Sequence, residues 1–67
     1  METTANEQRA IHESTEPLRS WVKVYPRATE QQRWRRYQEV SDPALNKRGT
    51  VYSQNWHKEA LRILGLN

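Results

Sequence analysis

Hydrophobic positions recur at helical spacing in three stretches of this chain, and each stretch is bounded by residues that start or stop helices. Leu18, Trp21, Val22 and Tyr25 stand at i, i+3, i+4 and i+7, one face of a helix. Thr15 is placed to cap that face, Pro17 is tolerated in a first turn and Pro26 ends it, so a helix is predicted over 17–25. Trp, Val and Tyr also favour extended structure, but the complete four-point match favours the helix.

Thr29 followed by Gln32 has the spacing of a capping box, opening a second helix over 30–40. On its wheel Trp34, Tyr37 and Val40 share one side with Arg33, while Gln31, Gln32, Arg35, Arg36, Gln38 and Glu39 spread over the other. Trp34 and Tyr37 are therefore expected as core anchors, with the stem of Arg33 lying along the apolar face and its head turned outward. Ser41-Asp42-Pro43 is expected to stop this helix, Asp42 and Pro43 opening one short turn through Leu45.

Asn46-Lys47-Arg48-Gly49 follows as a basic turn. Thr50, Val51 and Tyr52 are expected as a short extended piece before Ser53, the predicted N-cap of a third helix over 54–64. Trp56, Ala60, Ile63 and Leu64 define its inner face, and Gly65 then Leu66 match a C-terminal stop whose leucine folds back near Leu61. Residues 1–16 carry only Ile11 as a strong apolar anchor, with Thr4 and Glu7 at capping-box spacing. They are read as a polar tail or frayed helix. The expectation is a mainly α, three-helix domain over 17–67 behind an acidic head over 1–16.

With 67 residues and a mean hydropathy of −1.15, the chain sits near the lower size limit for an independent core. Folding aided by a partner or a second copy is compatible with that composition. The absence of cysteine excludes disulfides and thiolate metal sites. No apolar run approaches the ~20 residues of a membrane span, and no signal-peptide pattern opens the chain, so a cytoplasmic protein is expected.

The net charge of +3 hides an asymmetry. Glu2, Glu7, Glu13 and Glu16 outweigh Arg9 in the head, whereas Arg19, Lys23, Arg27, Arg33, Arg35 and Arg36 face only Glu30 over 17–36. An acidic head thus precedes a basic middle, and could mask it.

Catalysis is not expected. His57 falls at the edge of the apolar arc and reads as a packed histidine; His12 is the only other, and neither metal nor cofactor is expected. His57 and Glu59 are two apart on a helix and point away from each other. Binding remains, in two forms. The first is a helix-turn-helix-like regulator whose second helix enters a DNA groove, RNA being the weaker alternative. Gln31, Gln32 and Arg35 would then face base edges while Arg27, Arg36, Lys47 and Arg48 clamp phosphates. The second is a small interaction module or inhibitor docking on a larger protein, for which three tryptophans, three tyrosines and many arginines supply the anchoring residue types.

Overall fold

The computed structural model describes residues 5–46 and 48–66 and is helical throughout its regular parts. Among the described residues four helices follow one another: α1 (Ala5–Ser14), α2 (Glu16–Val24), α3 (Glu30–Ala44) and α4 (Thr50–Leu64). The three expected helices are present, 17–25 is helical rather than extended, and the frayed helix of the head is a full element. The Thr4 half of the expected head cap lies outside the described residues.

α4 is the hub, packing against α1, α2 and α3. Its buried stripe is Tyr52, Trp56, Ala60 and Leu64, spaced four apart, and it meets Ile11, Leu18 and Val40 from the other three helices. This stripe explains why the expected extended piece at 50–52 is helical instead. Tyr52 packs into the core only if the Trp56 face continues one turn backwards, and that burial outweighs the β-preference of Val51 and Tyr52. The start moves accordingly from Ser53 to Thr50, and Ser53 donates its backbone N–H to Gly49 O at 3.0 Å. Gly49 is the N-cap, without a side chain to close the first turn.

α3 also runs further than expected, through Asp42 and Pro43 to Ala44. Pro43 lies in the last turn, where its missing N–H costs one hydrogen bond and the chain is about to leave the helix. The Ser41 hydroxyl, in a buried residue, donates back to Gln38 O at 3.1 Å. The inward face of α3 is Arg33, Tyr37, Val40, Ser41 and Ala44, one position off the expected seam. Trp34 is therefore not a core anchor: it is 39% exposed, with its ring edge-on to Tyr37 at 5.7 Å. Arg33 takes the inward position and donates from Nη1 to Leu64 O at 3.2 Å, closing the C-terminus of α4. That end has the expected stop. Gly65 is left-handed at φ 70°, and Leu66 N–H bonds Leu61 O at 2.9 Å.

The head is joined to this core. Trp56, wholly buried, donates from Nε1 to Ser14 Oγ at 2.9 Å, and Tyr52 Oη lies 3.2 Å from the same oxygen. Ser14 Oγ donates its own proton to Ile11 O, so Tyr52 is the donor to Ser14 and all three groups are satisfied. Thr15, expected as a cap for α2, holds the N-cap position, but its side chain accepts no backbone N–H. It is buried, its hydroxyl donating to Ile11 O at 2.8 Å. The kink here follows from Pro17, which cannot continue α1 without clashing with the preceding turn. Arg19 seals the break, donating to Thr15 Oγ1 and His12 O and pairing with Glu16 at 2.9 Å.

Candidate partner interface on the second and third helices

The capping box at Thr29 fixes the direction in which α3 leaves its turn. Thr29 Oγ1 accepts from Gln32 N–H at 3.1 Å, and Gln32 Oε1 accepts from Thr29 N–H at 2.9 Å. Because the inward face of α3 starts at Arg33, the positions two and five further on, Arg35 and Gln38, turn to solvent together with Gln31. Among the described residues these three side chains enter no hydrogen bond or ion pair. The acidic residues of the helix's first ten positions are engaged elsewhere: Glu30 accepts from Trp34 Nε1 at 3.4 Å, and Glu39 lies 3.6 Å from Arg36.

Beside that outward face, α2 and α3 enclose a groove of about 610 Å³. Four of the seven candidate residues, Arg27, Gln32, Arg35 and Arg36, line it. The structure thus brings together the candidates on and before α3. Gln31 stands outside the groove on the solvent face. Arg48 is elsewhere, its guanidinium 4.8 Å over the Tyr52 ring at the start of α4. The length of α3, roughly 22 Å at 1.5 Å per residue, separates that end from Arg27. Lys47 lies outside the described residues. Gln32 reaches a partner only through its amide NH₂, since its oxygen is held by the cap.

The opposite wall of the groove comes from α2 and the turn after it. Trp21, Val24, Tyr25 and Pro26 line it, and the Trp21 and Tyr25 rings approach to 5.5 Å between centroids. Tyr25, expected on the inward face, is instead the C-cap residue of α2 and 56% exposed. Val24 is 66% exposed, because it falls outside the face that Leu18, Trp21 and Val22 share. No α2 residue stood among the seven candidates; the misfit of Val24 with the helical face of 17–25 was the sequence signal for an exposed apolar patch here.

Of the acids in the head, Glu16 is engaged on its own helix. The Ser20 hydroxyl, and after it the Arg19 guanidinium, hold the Glu16 carboxyl below the ordinary glutamate range. α1 packs on α4 and α2. His57 is half-buried and hydrogen-bonded through Nδ1 to the Tyr37 hydroxyl. Among the described residues no group of His, Asp and Glu could hold a metal ion, and no helix is long and apolar enough to cross a membrane. Compared with known proteins, the chain matches no family model, no curated protein and no solved structure.

Proposed function

We propose that this protein is a small non-enzymatic regulator that binds duplex nucleic acid, DNA ahead of RNA, through α3. The observation that carries the reading is the solvent face of α3, where Gln31, Arg35 and Gln38 stand exposed and their side chains enter no hydrogen bond or ion pair among the described residues. Arg27 lies exposed in the turn at its head. Glutamine amides and arginine forks are the groups that pair with base edges in a major groove, and a groove admits a helix presented in this way. α2 and the turn over 25–29 would hold α3 across the duplex, with Arg27 on a phosphate. A wide, shallow RNA groove offers such a helix fewer base contacts.

The test is the affinity for random-sequence duplex DNA as salt is varied. Log affinity should fall linearly with log salt, at a slope of about 0.9 per phosphate contacted. Arg27→Ala should lower that slope by about one. No binding at about 50 mM salt would remove the proposal.

A further inference from the structure

We propose that the groove between α2 and α3 is a docking site for an acidic amphipathic segment of a larger protein. The surface shares Arg27 and Arg35 with the proposed DNA-binding face but adds an apolar wall from α2, and the inference stands whether or not the protein binds DNA. Single exposed apolar residues are ordinary on a protein surface. Here Val24 and Tyr25, the two most exposed large apolar side chains described, are adjacent and continuous with the half-buried Trp21. They form one wall of a concavity rather than a bump. Contiguous apolar surface in a groove marks a recognition site.

The facing wall gives the occupant its chemistry. Arg35 and Arg36 on α3, with Arg27 at the end of the groove, oppose a single acid, Glu39, which lies against Arg36. That single contact engages one Nη of Arg36 and leaves its other terminal nitrogen for a partner, while Arg36 Nε is buried without an acceptor among the described residues. An arginine fork with spare donors takes a carboxylate in a two-point contact. A segment carrying apolar side chains on one side and Asp or Glu on the other matches both walls at once. Tryptophan, tyrosine and arginine are also the residues that dominate binding energy at protein interfaces. A nucleic-acid strand fits less well, because only Tyr25 and the half-buried Trp21 of that wall offer a base a stacking face, while Val24 and Pro26 offer none.

The experiment is selection from a random 16-residue peptide library on the full chain, followed by affinities of the enriched peptides for three variants. Enriched sequences should combine Asp or Glu with Leu, Phe or Trp. Tyr25→Ala and Val24→Ser, both at exposed positions, should weaken them at least tenfold, whereas Gln31→Ala should leave them unchanged. Failure to enrich, enrichment of basic sequences, or affinities indifferent to Tyr25→Ala and Val24→Ser would overturn the proposal. So would two other occupants: self-association abolished by Tyr25→Ala, or binding of an oligothymidine abolished by the same change. Loss of duplex-DNA binding in Gln31→Ala with peptide binding intact would separate this surface from the one on α3.

Discussion

Ser14 ties the core together through one hydroxyl. Its hydroxyl is the acceptor for Trp56 Nε1 and the partner of Tyr52 Oη, so removing it leaves buried donors without a partner. Ser14→Ala should destabilise the protein by about 1–3 kcal/mol, the cost of an unpaired buried polar group, in a denaturant titration. A change within a few tenths would mean that water replaces the serine. Trp56→Ala removes the wholly buried centre of the domain and should cost about 3–5 kcal/mol, which a chain this size is poorly placed to survive. A folded and barely weakened variant would remove Trp56 from the centre. At the opposite extreme, Gly49 has open space around its missing Cβ and an extended φ of −76°, so a side chain fits without strain. Gly49→Ser should therefore supply the absent cap and raise stability by a few tenths of a kcal/mol.

At the scale of elements, α3 and α4 are tied by Tyr37 and His57, and burial raises the Tyr37 hydroxyl above its ordinary value of 10.0. The fold therefore favours the neutral phenol. That contribution is complete below pH 10.0 and is lost as the pH climbs through the raised value. Thermal stability should fall above that point, and Tyr37→Phe should flatten the fall while costing one hydrogen bond; an unchanged alkaline profile would place the sensitivity elsewhere. The helices themselves were legible because each carried a seam and a boundary signal: Thr29 with Gln32, Pro26, and Gly65 with Leu66. What was not legible came from packing between elements. Tyr52 reads as a β-former locally, and only its place one turn before Trp56 on the hub helix makes it core. Arg33 occupied the inward position expected of an apolar residue, because its head closes the end of α4, and this displaced Trp34 to the surface. Pro43 reads as a stop, yet within a last turn it costs too little to be one. Of the candidate surface, periodicity alone separated Gln31, Arg35 and Gln38 from the seam, but the α2 wall beside them depends on the angle between two helices, which spacing does not encode.

For the whole molecule, the acidic head and the domain share one core. The sequence set residues 1–16 apart from the domain as a polar tail or frayed helix, but Ile11 is buried and Ser14 holds Trp56 and Tyr52. Deleting 1–14 should abolish the cooperative thermal transition, and retention of a sharp transition would show that α1 merely rests on the surface. With α1 engaged on α4 and α2, the two outward features of α3 and its groove are left to partners. The central claim is that α3 reads a duplex. Its most direct test compares the affinity of the intact protein and of Arg35→Ala for a duplex site obtained by selection and for random duplex at one salt concentration. The expected result is a loss on the selected site larger by about 1–3 kcal/mol than the loss on random sequence, the discrimination of one arginine contact to a base. Equal losses on both duplexes, or no loss on either, would contradict it.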